Sequence, residues 1–110
     1  MLPKKHRLPL RDRIIPELQV HNDLFSLKMR KNSTDTSRFA FIVSKRIARL
    51  AVDRNSTKRV LRQCLQEQLI QVKPGYDMLF VAKKALRMKD RASVCKEIDR
   101  ELMKKSLLSN

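Results

Sequence analysis

Glycine occurs once in these 110 residues, tryptophan not at all, and aromatic side chains amount to four Phe and one Tyr. A single glycine excludes a glycine-rich phosphate loop, and neither GxxxxGK[ST] nor GxSxG occurs. Acid is scarce as well, with Glu97, Asp99 and Glu101 as the closest group. A two-metal nuclease needs several carboxylates converging on ions about 4 Å apart, and no stretch promises that. His6 and His21 stand alone, without metal-ligand spacing. Cys64 and Cys95 show no CxxC spacing and read as small core hydrophobes in a reducing cytoplasm, not as a disulfide. No apolar run approaches the roughly 20 residues of a membrane span, and "MLPKKHRLPLR" has no apolar signal region. The expectation is a soluble cytoplasmic protein.

What the chain has in excess is positive charge. Lys and Arg number 26 against 11 Asp and Glu, a formal charge of +15. That exceeds what solubility requires and points to a polyanionic partner, nucleic acid or an anionic membrane surface. The length suits one domain, 1–110.

Three of the four prolines (Pro3, Pro9, Pro16) lie in residues 1–22. This end reads as an irregular basic arm with at most a short helix, Leu10 to Ile15 or Glu17 to Val20. "DLFSLKMRK", Asp23 to Lys31, alternates Phe25, Leu27 and Met29 with polar residues, as a half-buried strand does. After the polar "KNSTDTS", the run "RFAFIVSK", Arg38 to Lys45, reads as a second strand, and the two are expected to pair as an antiparallel hairpin. Arg54 to about Val72 has Leu61, Leu65, Leu69 and Val72 on one stripe of a helix, with Cys64 beside them. A turn at Pro74 and Gly75 leads to a strand from Met78 to Lys83, then to a helix from about Asp90 to Leu107 with Val94, Cys95, Ile98 and Leu102 inward. The order is α+β, (α)ββαβα, a small sheet with helices packed on it.

The densest charge runs from Lys45 to Arg62, with seven Lys or Arg (Lys45, Arg46, Arg49, Arg54, Lys58, Arg59, Arg62) and one acid, Asp53. Positions 54, 58 and 62 recur at i+4 and form a row. Like charges so spaced weaken a helix slightly, so an external polyanion accounts for them better than a solvated face does. Asn55 is either an N-cap or an amide that contacts a phosphate, a base edge or a water held by a metal ion. Phe39 and Phe41 are assigned to the core. Phe25 is kept for an exposed face, where strand aromatics can stack on unpaired bases.

"RFAFIVSKRIARLAVDRNSTKRVLRQCL" followed by "KPGYDMLFVAKKAL" resembles the protein subunit of bacterial ribonuclease P. The family pattern is a strand ending V-S-K, a basic connection, A-V-x-R-N-R-x-K-R-x-x-R on a helix, then a P-G-Y-D turn and an apolar strand. It is met by Val43-Ser44-Lys45, Ala51-Val52, Arg54-Asn55, Lys58-Arg59 and Arg62, with Ser56 in place of the second arginine of R-N-R. The resemblance implies a compact αβ sandwich with a left-handed βαβ crossover, an uncommon hand. It implies a protein without catalytic residues of its own, bound to a catalytic RNA subunit and to precursor tRNA, with no obligatory protein partner. Mg²⁺ would be held mainly by the RNA, with Asn55 reaching it at most through water. RNA binding would fall to Arg54, Asn55, Lys58, Arg59, Arg62, Lys45, Arg46 and Arg49. A cleft for the 5′ leader would comprise Phe25, Leu27, Ala40, Ile42 and Ser44. The rival readings are a basic ribosomal or ribosome-assembly protein and a protein-only nuclease.

Overall fold

A computed structural model describes residues 2–9 and 16–105. A strand β1 (Leu18–His21) precedes the two alternating segments, which form strands β2 (Phe25–Lys31) and β3 (Arg38–Ile42); the apolar run after Gly75 forms β4 (Tyr76–Ala82), and the 3.6-period segments form helices α1 (Ala51–Glu67) and α2 (Arg91–Lys104). One mixed sheet has the order β1-β2-β4-β3. β2 is antiparallel to both β1 and β4, whereas β3 runs parallel to β4. The expected β2–β3 hairpin is therefore wrong: β4 inserts between the two strands, and α1 carries the chain from β3 across to it. Period 2 tells which residues share a face but not which strand lies alongside.

The register places Phe25, Leu27 and Met29 beside Ala82, Phe80 and Met78, and Phe39 and Phe41 beside Met78 and Phe80. All eight are buried, and with Val60, Leu61, Leu65, Val94, Ile98 and Leu102 of the helices they form one core. Phe80 sits between Phe25 and Phe41, with ring centroids 5.4 and 5.6 Å away. Phe25 is wholly buried, so its assignment to an exposed face fails.

Three further expectations need correction. Cys64 and Cys95 form a disulfide, Cα–Cα 4.9 Å, which ties α1 to α2. Helical spacing on two separate segments carries no sign that these positions would meet. Glu17–Val20 is no helix, because residues 18–21 pair with β2 across a turn in which the Asn22 side chain accepts from the N–H groups of Leu24 and Phe25, at 2.8 and 2.9 Å. The arm is also less irregular than its prolines suggest. Leu2 and Leu8 are buried, Lys4–His6 is a 3-10 turn, and Arg7 bridges to Phe39 along the free edge of β3. The alternative helix Leu10 to Ile15 lies outside the described residues.

Candidate nucleic-acid interface

The basic stretch divides into a fastened loop and a helix face. Ser44 closes the turn after β3: its carbonyl accepts from the N–H groups of Ile47 and Ala48, both at 3.1 Å, and its hydroxyl accepts from Ile47 N–H at 3.3 Å. Ala48 is buried and anchors the loop, leaving Lys45, Arg46 and Arg49 exposed. Arg54 donates from Nη1 to the carbonyls of Ala48 (3.1 Å) and Arg49 (2.9 Å), so it fastens this loop to the first turn of α1. Its guanidinium is thus partly a structural brace, which the i+4 spacing did not reveal.

The helix starts at Ala51, earlier than expected, so Asn55 lies one turn inside it and cannot be its N-cap. Asn55 and Arg59 are exposed, while Lys58 and Arg62 are half-buried on the flank of the core stripe. The opposite flank is held in place. The Thr57 hydroxyl accepts from Leu86 N–H at 2.9 Å and donates to the Asp53 carbonyl at 2.8 Å. Ser56, where the family pattern has arginine, donates to the Leu86 carbonyl at 3.3 Å. This position faces the connection after β4, so the change from arginine to serine replaces a cation by an internal hydrogen bond.

The second group of expected site residues separates. Phe25 and Leu27 point to the helices and are wholly buried, so they cannot line a cleft. Ser44 lies beyond the strand end and is used in the turn. Ala40 and Ile42 do lie on the sheet face turned away from the helices, and the register adds residues that the sequence reading missed. Three cross-strand rows result: Arg30–Asp77–Arg38, Lys28–Leu79–Ala40 and Ser26–Val81–Ile42. The signal for Lys28 and Arg30 was available, since they alternate with Leu27 and Met29. That for Leu79 and Val81 was hidden in an apolar run with no polar alternate.

The first row is electrostatically organised. Asp77 is wholly buried; Arg38 binds it through two contacts of 2.9 Å, Asn32 donates to it at 2.9 Å, and Arg30 approaches at 3.5 Å. Burial alone would raise the pKa of this carboxyl, but the hydrogen bonds from Arg38 and Asn32 and the charges of both arginines outweigh it, and Asp77 lies below the ordinary carboxylate value. Elsewhere, a cavity of about 590 Å³ between the β1–β2 turn and α2 mixes Lys84, Lys96, Arg100 and Lys104 with Asp23, Glu97 and Glu101, a far more balanced surface. Among the described residues no three His, Cys, Asp or Glu gather as a metal site, and no helix is long and apolar enough to cross a membrane.

The comparisons with known proteins agree with one another. The family model "Ribonuclease P" matches residues 2–106. A ribonuclease P protein component of Clostridioides difficile is 32% identical over 73 residues, 66% of this chain and 60% of that protein. One from Dehalococcoides mccartyi is 40% identical over 74 residues, 67% of this chain and 56% of that protein. The matched stretch thus spans somewhat over half of each relative's length. Among solved structures, the RNase P protein from Thermotoga maritima superposes with a TM-score of 0.65 at 26% identity, covering 92% of this chain and 94% of that one. The Staphylococcus aureus RNase P protein, at 19% identity and TM-score 0.67 over 84% of each chain, shares the fold.

Proposed function

Since the chain belongs to the ribonuclease P protein family, we propose that it is the protein subunit of a ribonucleoprotein that removes the 5′ leader from precursor tRNA in the cytoplasm. The observation that carries this reading is the run of exposed Lys45, Arg46, Arg49, Asn55 and Arg59 on one loop and the helix it leads into, with half-buried Lys58 and Arg62 on the helix flank. In this reading the RNA subunit performs the hydrolysis and supplies most of the Mg²⁺ ligands. Asn55 fits no more than an outer contact, because it is a lone neutral amide among cations, with one acid, Asp53, in the first turn. The protein neutralises phosphates where two RNA strands come together and so lets cations bind there with less repulsion to overcome. Precursor tRNA gains contacts that mature tRNA lacks, through its leader. No membrane and no further protein is required.

Reconstitution tests this directly. Purified protein with Mg²⁺ should leave precursor tRNA intact. Adding a bacterial ribonuclease P RNA should restore cleavage, at Mg²⁺ concentrations lower than the RNA alone needs. Cleavage by the protein alone, or no effect on the RNA's Mg²⁺ requirement, would sink the reading.

A further inference from the structure

Asp77 is one carboxylate facing two arginines. Arg38 occupies both of its oxygens at 2.9 Å, and Asn32 adds a third bond of 2.9 Å to Oδ1. Arg30 is left with a single contact of 3.5 Å to an oxygen that Arg38 already holds, beyond the usual range for a charge-assisted bond. Its charge is not needed to neutralise Asp77, so the Arg30–Asp77–Arg38 row carries one surplus positive charge; the exposed Glu17, just before β1, lines the same small cavity as Arg30 but forms no ion pair with it. Lys28 stands two residues along β2 on the same face, so the strand presents two cations in line. Beside them Leu79, Val81 and Ile42 make a half-buried aliphatic floor.

We propose that Arg30, held in line by the Arg38–Asp77 pair, is a phosphate-binding position at the far end of the leader's path, with Lys28 between it and the α1 end of the sheet. This rests on the function proposed above. Because β3 runs from Arg38 to Ile42 and then into the basic loop, Arg30 lies at the sheet end opposite Lys45, Arg46 and Arg49, with the length of β3, roughly 13 Å, between the two ends. A leader entering beside α1 meets Arg30 only when it is long enough to cross the sheet. It crosses without stacking, since every Phe faces the helices and Tyr76 shares their alternation. The grip at this end is therefore on the backbone, and tolerates any base.

The test uses the assembled enzyme, protein plus catalytic RNA, and precursor tRNAs whose leaders lengthen one nucleotide at a time. Arg30→Gln should match wild type on short leaders and bind about threefold to tenfold more weakly once the leader reaches the far row. The slope of log affinity against log salt should shrink by about 0.7 on those longer leaders alone. Lys31→Gln removes an equal charge from the next residue, which alternates to the other face, and should show no length-dependent loss. A methylphosphonate placed at successive leader positions should weaken wild-type binding at a position near the step where Arg30→Gln first falls behind, which gives the same readout without altering the protein. If Arg30→Gln follows wild type at every length, or Lys31→Gln loses as much, the Arg30 site is wrong while leader binding stands. If wild-type protein confers no gain with leader length, the proposed function fails first and the site with it.

Discussion

The two helices pack on the same face of one sheet and bury similar aliphatic stripes, yet they treat their charges in opposite ways. On α2, Arg100 pairs with Glu97 at 3.2 Å and Lys104 with Glu101 at 3.7 Å, each one turn apart. On α1, Arg54, Lys58, Arg59 and Arg62 have only Asp53 and Glu67 as acids on their own helix, and Glu67 is bound by Arg91 of α2. Pairs whose cation is as exposed as Arg100 and Lys104 contribute little to stability, so the contrast is one of field and not of folding energy. α2 neutralises most of its own charge, whereas α1 leaves its charge uncompensated within its own helix.

In the core the helices should be equivalent. Leu65→Ala on α1 and Leu102→Ala on α2 remove fully buried side chains, and each should cost about 2 to 5 kcal/mol in denaturant unfolding. A mild loss at one of them would break the equivalence. The disulfide joins the pair and closes a loop with a sequence separation of 31, so reducing it should lower stability by about 3 to 4 kcal/mol, read as a melting shift with and without dithiothreitol.

Binding is where the helices should part. Changing Lys58 and Arg62 together to Ala should weaken precursor tRNA binding to the assembled enzyme at least about tenfold, with mature tRNA nearly unaffected. Equal losses for both tRNAs would move these residues to the interface with the catalytic RNA. Changing Arg100 and Lys104 together to Ala should alter either affinity by less than about twofold, because their charges are already matched. A larger effect would mean that the α2 surface also meets RNA.

Much of this contrast could be read from the residues alone. Aliphatic spacing located both helices, because a stripe at Leu61 and Leu65 or at Val94, Ile98 and Leu102 has one way to be buried. The density of Arg and Lys from Lys45 to Arg62 located the basic surface. What stayed hidden depends on the neighbours that residues acquire in space. Phe25 and Leu27 obey the same alternation whether their face is covered or open. β2 and β3 look like a hairpin because a short polar stretch joins them, and nothing in either strand announces β4. Arg54 reads as one more cation in a row until the Ala48 and Arg49 carbonyls come within its reach.

The place of β4 bears on how the protein comes into being. Of the two inner strands of the sheet, β4 is the last strand to be synthesised, and partners such as Arg30 and Asp77 stand 47 residues apart in the chain. β1 and β2 can close early as a local hairpin, but β2 keeps a bare edge, and β3 has no strand beside it, until Tyr76–Ala82 has emerged from the ribosome. Such distant pairing is slow and exposes strand edges to other chains in the meantime. A nascent chain stalled before Tyr76 should be cut readily by protease between β2 and α1. A full-length chain, with α2 also in place, should resist there, so that order beyond the first hairpin arrives late in translation.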